Sequence, residues 1–460
     1  CGSGFVDDIA YWAHTNDLRS DLSDTQTLST YILYAFGAGS QLVKDVAKYG
    51  AFEDSNGNNL PDLSSEWDKD GDGKPDNYYE AQEGSKLESA LTSAINDILK
   101  NASSGTSVSV LTTSASGAGN IFQCYFLPVK TVDNNNITWL GHLLELGVSA
   151  KGEILDNAGK VISFSYNSSE GQTYVNVTGG GNYPLIEWTG YKWDAGEKLV
   201  TKTATSRVIK SFVDADKDGI ADSGEYVDFT DTNKTVLRPY LRAVTDTESA
   251  DIINFIRGSN ITGYRDRTYS GTNQYKLSDI VYSTPTVVGS PAENYGLVYG
   301  DKTYSAFFES NKNRATTIFI GGNDGMLHAF DTNGSELWAF IPQNLLPHLK
   351  WLTDPDYSHV YYVDLRARVT DINFGDTTSP NWKTVLIGGM RLGGGQISVT
   401  DNFGSGSETR NFQSSYFAID ITNPNSPNLL WEFTHSDLGF TTSYPTVAKV
   451  GNKWFIVVGS

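Results

Sequence analysis

The sequence predicts a mainly β protein with an α/β N-terminal part, the β portion being a β-propeller. Three observations lead there. A group of strand signatures recurs through residues 276–460. From residue 118 onward, short runs rich in Val, Ile, Tyr, Thr and Trp are separated by Gly, Asn, Asp and Ser clusters. Before residue 115, by contrast, helical periodicity alternates with strand text.

In the N-terminal part, Thr30-Tyr-Ile-Leu-Tyr-Ala-Phe36 is a β-rich run ending at Gly37. Residues 41–48 carry apolar side chains at 42, 43, 46 and 47, which is one helical face. A second helix is predicted from Ser85, where Ser85 and Glu88 form a capping box and Leu87, Leu91, Ala94, Ile95 and Ile98 line one stripe before Lys100.

Between these elements stand two acidic ladders, and a third lies further on. Asp68, Asp70, Asp72 and Asp76 occupy positions 1, 3, 5 and 9 of a loop with Gly73 at position 6 and the Lys74 carbonyl at position 7. Asp214, Asp216, Asp218 and Asp222 repeat the spacing with Gly219 at position 6, the Ile220 carbonyl at position 7 and Glu225 at position 12. Calcium takes six to eight hard oxygens, and this spacing wraps them round one ion while position 6 turns sharply. In the Asp68 ladder Glu80, at position 13, is the carboxylate expected to close the shell. The loop directly ahead of it, Asp54, Asn56, Asn58, Leu60 (carbonyl) and Asp62, has Asn59 at the turn and Glu66 again at position 13. Like charges crowded into one turn repel unless a cation neutralises them. The expectation is therefore two or three structural Ca²⁺ sites, with no catalytic constellation beside them.

The region from 118 to 275 reads as β, with helical text only around 246–257. The third acidic ladder sits there between Val208-Ile-Lys-Ser-Phe212 and Tyr226-Val-Asp-Phe229. The repeat follows. Ser283-Thr-Pro285-Thr-Val-Val288 recurs as Ser443-Tyr-Pro445-Thr-Val-Ala448, and Arg366-Ala-Arg-Val-Thr-Asp371 takes the same place between them. Each opening leads to a strand ending in glycine: 317–322, 384–389 and 454–459. Leu327-His-Ala-Phe-Asp331 with Glu336-Leu-Trp-Ala-Phe340 then matches Tyr416-Phe-Ala-Ile-Asp420 with Leu429-Leu-Trp-Glu-Phe433. That order is a four-stranded blade. The openings are roughly 80 residues apart, against about 40–50 for a compact blade, so insertions must decorate the blades. The last blade stops at Ser460 after its first glycine, so its remaining strands are expected either from residues 118–275 or from beyond the chain.

Composition narrows the function. In 460 residues, 54 acids against 34 bases give a net charge of −20, which repels a polyanion and supplies no basic stripe for nucleic acid. The longest apolar runs are strand-length, far short of the ~20 residues of a spanning helix. Two cysteines, Cys1 and Cys124, exclude a disulfide framework and Cys-based zinc or haem. They are left to pair with each other, or Cys1 to be lipidated, or to be a mere fragment boundary. The six histidines are scattered and make no metal-spaced pair.

Taken in order, Trp139-Leu-Gly-His-Leu143, Trp193-Asp-Ala-Gly-Glu-Lys-Leu199, Phe255-Ile-Arg-Gly258, Tyr264-Arg-Asp-Arg267, residues 276–285 and Gly321-Gly-Asn-Asp-Gly-Met-Leu-His-Ala-Phe-Asp331 resemble the PilY family of type IV pilus tip and assembly proteins. Asp7-Asp-Ile-Ala10, Asn16-Asp-Leu-Arg19, Ala47-Lys-Tyr-Gly-Ala-Phe52 and the paired acidic loops look like the segment that closes that family's von Willebrand A-like domain. The resemblance implies residues 1–115 as the end of such a domain and 118–460 as the propeller, with an insertion at 150–275. It implies a non-enzymatic, extracellular, cell-surface protein of a Gram-negative bacterium, secreted and outer-membrane associated. Such a protein works with minor pilins at the pilus tip and meets a host or abiotic surface ligand, in assembly, adhesion, surface sensing or twitching. The Asp-x-Ser-x-Ser motif of a complete von Willebrand A domain is absent, and the family's late propeller calcium loop would fall after Ser460. A rival class, a quinoprotein dehydrogenase, shares Gly-Asp-Gly and Leu-Trp blade motifs, but it needs a catalytic aspartate beside a cofactor-bound calcium and, usually, a vicinal disulfide. Asp324 and Asp331 read instead as turn residues capping strand ends. A scaffold subunit of an extracellular filament is the remaining alternative.

Overall fold

The computed structural model describes residues 5–19, 26–35, 39–69, 71–81, 110–113, 119–133, 135–149, 151–167, 172–404 and 406–459. The helix expected from Ser85, together with Cys1 and Asp70, lies outside the described residues. The chain divides into two compact units, Cys1–Ser104 with Ile162–Trp188, and Gly105–Val161 with Thr189–Ser460.

In the first unit the apolar face foreseen at 41–48 forms helix Gln41–Gly50. It buries Val46 and Ala47, while helix Val6–Thr15 buries Ala10 and Ala13. Strand Ile32–Ala35 pairs in parallel with Tyr78–Ala81, Ile32 facing Tyr78. A parallel pair needs a long crossover, and helix Gln41–Gly50 with the two acidic loops supplies it. Asn77 pins the return: its Nδ2 donates to the Thr30 carbonyl at 2.6 Å and the Ala47 carbonyl at 2.7 Å. Strands Ile162–Asn167, Gln172–Val177 and Asn182–Pro184 form an antiparallel meander in the same unit.

The second unit opens on a long hairpin, Gly119–Val132 against Asn135–Val148. Cys124 lies on it as a buried free thiol. Two antiparallel blades follow. In the first, Thr286–Val288, Thr317–Gly321, Leu327–Asp331 and Glu336–Ile341 pair in order. In the second, Arg368–Asn373, Trp382–Gly389, Tyr416–Asp420 and Asn428–Phe433 do the same. A hairpin, Thr446–Val450 with Lys453–Val457, repeats the first two strands. The whole of Thr317–Gly321 is buried, as expected of a strand covered on both faces.

The repeat has a physical cause. The Gly321 N–H donates to Ser283 Oγ at 2.8 Å, and the Gly459 N–H donates to Ser443 Oγ at 2.9 Å. The opening serine thus caps the glycine that ends the next strand. The insertions implied by the wide spacing are helices Tyr295–Val298 and Thr303–Asn311 in the first blade and the hairpin Ile397–Asn402 with Ser407–Phe412 in the second.

One feature lies outside the sequence reading. Strand Ile209–Phe212 joins the first blade, pairing in parallel with Glu336–Ile341, and Tyr226–Asp228 pairs with Ile209–Phe212 in turn, giving a six-stranded sheet. Helix Asp246–Arg257, capped by the Thr245 side chain and ended by Gly258 at φ +112°, packs Ile252, Ile253, Phe255 and Ile256 into the core shared with Phe212, Trp338, Phe340 and Phe417.

Candidate metal loops

The three acidic loops adopt one backbone scaffold. Positions 4 and 6 are left-handed in each: Gly57 and Asn59 (φ +75°, +58°), Gly71 and Gly73 (+75°, +79°), Lys217 and Gly219 (+70°, +74°). Asn59 therefore does what glycine does elsewhere, since asparagine tolerates this region. The position-6 amide donates to the position-1 carboxylate in every loop: Asn59 to Asp54 at 2.8 Å, Gly73 to Asp68 at 3.1 Å, Gly219 to Asp214 at 2.9 Å. The position-7 amide donates to the position-5 side chain likewise: Leu60 to Asn58 at 2.8 Å, Lys74 to Asp72 at 2.8 Å, Ile220 to Asp218 at 2.7 Å. These bonds tie the side chains of positions 1 and 5 to the amides of their own turn.

The closing acids are placed differently from one another. The Glu225 carboxylate accepts from the Ala215 N–H at 2.7 Å and the Asp222 N–H at 3.0 Å. Glu66 does the same for its loop, accepting from Ser55 N and Leu63 N, both at 3.1 Å. Glu80 does not. It accepts from the Gly39 N–H at 3.0 Å and the Tyr78 hydroxyl at 2.9 Å, and it pairs with Lys74 Nζ at 3.1 Å. The Gly39 amide, then Lys74 and Tyr78, hold its carboxyl down at about 2. The amide that Glu225 and Glu66 cover in their loops is covered here by Asp76, which accepts from Lys69 N at 3.2 Å. Spacing alone pointed to position 13; the sheet register of Tyr78–Ala81 carries that residue to other partners.

Donor chemistry separates the loops further. Asp214, Asp216 and Asp218 place carboxylate oxygens within 4.8 Å of one another, and among the described residues they form the only such group of three. Asp214 is buried and the other two are exposed. Burial pushes the Asp214 carboxyl up, against the Gly219 and Lys217 amides that pull it down. No ion pair of the described residues reaches these three carboxylates. The nearby cations are used elsewhere, Lys217 Nζ on Glu408 and Arg410 on the backbone carbonyls of Asp214 and Ala215. An all-oxygen donor set with its charge uncompensated fits a hard divalent cation. In the second loop Asp68 Oδ1 is buried with no hydrogen-bond partner, an orphan that a cation would satisfy. In the remaining loop Asn56 and Asn58 donate their amides to Asp62, each at 2.9 Å, and Asn59 foremost among the loop amides holds the Asp54 carboxyl below its usual range.

A second polar constellation was not read from the sequence. Arg207 grips Glu336 through Nε at 2.9 Å and Nη2 at 2.8 Å, and His328 bridges Glu336 at 3.0 Å and Asp324 at 3.1 Å, all buried. Burial alone would lower His328, but Asp324 and Glu336 override it and raise it to about 9. Asp331 does behave as a turn residue, taking the Asn333 and Ser335 amides.

Residues 277–460 match the family model described as the PilY1 beta-propeller domain. That segment is similar to the PilY1 propeller family. The PilY1-type segment holds both blades and the following hairpin, and all three acidic loops precede it. Across its full length the chain is 27% identical, over 497 aligned residues, to a type IV pilus biogenesis factor PilY1 homolog of Xylella fastidiosa, covering 33% of that relative. It is 35% identical over 238 residues to type IV pilus biogenesis factor PilY1 of Pseudomonas aeruginosa strain PAK, covering 47% of this chain and 17% of that one. The chain thus spans a third or less of these curated relatives. The crystal structure of the Pseudomonas aeruginosa PilY1 C-terminal domain aligns with 38% of this chain and 31% of its own, at 33% identity and a TM-score of 0.28. A superposition that loose says nothing about blade arrangement. The resemblance to the PilY family is thereby borne out.

Proposed function

We propose that this chain is part of a non-enzymatic, calcium-binding protein of the type IV pilus machinery, acting outside the cell at the pilus tip with minor pilins, in pilus assembly, adhesion and surface sensing. The PilY1 propeller match over residues 277–460, joined to relatives named as pilus biogenesis factors, carries this reading. The N-terminal parallel strand pair with its crossover helix supports an α/β remnant of von Willebrand A type.

Calcium would be held first by Asp214, Asp216, Asp218, Asp222, Glu225 and the Ile220 carbonyl. Asp68, Asp70, Asp72, Asp76 and the Lys74 carbonyl make the second site, closed by Asp76 rather than Glu80, and Asp54, Asn56, Asn58, Asp62, Glu66 and the Leu60 carbonyl the third. A bound ion neutralises carboxylates that otherwise repel, and so stiffens each turn.

The deciding experiment is capture of purified minor pilins on the immobilised chain, with calcium and with EGTA. Recovery of pilins above a blank surface is expected. Absence of recovery under both conditions, together with wild-type pilus number and twitching in a strain lacking the protein, would overturn the pilus assignment. Titration calorimetry with calcium alone tests the ion separately.

A further inference from the structure

The acidic loop between Ile209–Phe212 and Tyr226–Asp228 grows from the outer edge of the first blade, and its tip reaches the outer edge of the second. Ile220 bridges Trp431 in the antiparallel sense. The Ala221 N–H donates to the Leu430 carbonyl at 3.2 Å, and the Glu432 N–H donates to the Gly219 carbonyl at 2.8 Å. Positions 6 and 8 of the loop thus form a short ladder with strand Asn428–Phe433, while positions 1, 3 and 5 present their carboxylates. The ladder does not use the Ile220 carbonyl, the one main-chain oxygen assigned to the ion.

Glu432 knots the two blades together at this point. Its buried carboxylate accepts from the Gln343 N–H at 2.7 Å and the Asn344 N–H at 3.0 Å, both just past the last strand of the first blade, and from Ser415 Oγ at 2.9 Å in the second. Gln343 also accepts the Asp214 N–H through its side chain, and Arg410, on the inserted hairpin of the second blade, holds the Asp214 carbonyl. The first ligand residue and the ladder are therefore fastened to the same two blades.

We propose that the 213–225 loop is a metal-set clip between the blades: the ion holds the turn in the shape that pairs with strand Asn428–Phe433, and its loss frees that strand's outer edge. This rests on the calcium reading given above. Without an ion, Asp214, Asp216 and Asp218 repel across 4.8 Å or less, and opening the turn to separate them pulls Gly219 and Ala221 off the ladder. The linkage is reciprocal: pairing of the blades preorganises the turn and strengthens ion binding.

Hydrogen exchange read by mass spectrometry on the whole chain, in calcium chloride and in EGTA, tests the clip. Calcium is expected to slow exchange of the 428–433 peptide by ~tenfold or more, alongside the 213–225 peptide, because both open in one step. Asp216→Asn with Asp218→Asn should abolish both effects, while peptides covering 317–341 keep wild-type exchange as the control for folding. Ala221→Pro keeps every assigned ligand but removes one ladder donor. In that variant calcium should still protect 213–225, with protection of 428–433 lost. Protection of 213–225 without any change at 428–433 in the wild-type chain would overturn the clip and leave the calcium reading standing. If calcium alters neither peptide, and its binding heat is the same with and without the double substitution, the ion itself is refuted at this loop.

Discussion

At the scale of single residues, Arg207, His328, Asp324 and Glu336 form a buried, hydrogen-bonded set of charged groups against the first blade. A histidine whose folded pKa rises from 6.5 to about 9 gives stability that is complete below pH 6.5 and is lost as pH climbs through about 9. Urea unfolding should therefore show the blade unit weakening from pH 6 to pH 9 by as much as about 3 kcal/mol, and His328→Gln should flatten that dependence. Arg207→Met leaves Glu336 buried without its guanidinium and is expected to cost about 3–5 kcal/mol, measured the same way. Asp324 stands in a Gly-Asn-Asp-Gly turn, the usual home of a solvated cap; its partner His328 is only four residues on, but the Arg207–Glu336 pair that His328 also meets joins segments 129 residues apart, which no local pattern announces. Glu80 teaches the same lesson, since its spacing fits a loop while its register in the sheet assigns it to Gly39, Tyr78 and Lys74.

At the scale of elements, signals that act over short sequence distances were readable. The capped helix Asp246–Arg257, helix Gln41–Gly50 and the blade strands all fall where period and punctuation put them. The common scaffold of the acidic loops was implied too, because positions 4 and 6 carry glycine, asparagine or a strained lysine. Chelation should lower the melting temperature by several degrees, and Asp216→Ala should reproduce part of that loss; coincident melting curves with and without EGTA would count against the ion. Two glycines of one loop separate conformation from contact. Gly219 and Gly224 both sit at positive φ, but a Cβ on Gly219 would lie 2.7 Å from the Glu432 carbonyl oxygen, whereas one on Gly224 meets nothing within 4 Å. Gly224→Ala should therefore cost about 1 kcal/mol and Gly219→Ala clearly more, by chemical denaturation in EGTA. What stayed hidden was the addition of Ile209–Phe212 to the first blade. A strand's text declares that it wants a partner but not which one, and this partner lies 130 residues on, as the Ser211 Oγ bond to the Ile341 carbonyl measures.

At the scale of the whole molecule, one core unites the segments on either side of residue 277. Phe212, Phe229, Leu237, Tyr240 and Ile252 pack with Trp338, Phe340, Leu345 and Phe417. A fragment of residues 277–460 would expose that apolar face and is expected to aggregate or lose its cooperative melt, whereas 105–460, which keeps the whole of that unit, should melt it in one transition in scanning calorimetry. The family boundary and the folding boundary therefore differ. The first blade's outer edge has a kinetic consequence as well. A chain made from its N-terminus at about 5–20 residues per second delivers strand Ile209–Phe212 roughly 7–26 seconds before the strand it pairs with. For that interval an amphipathic hairpin waits with one edge open, and a turn that an ion can close early would shorten its exposure and guard it against mispairing.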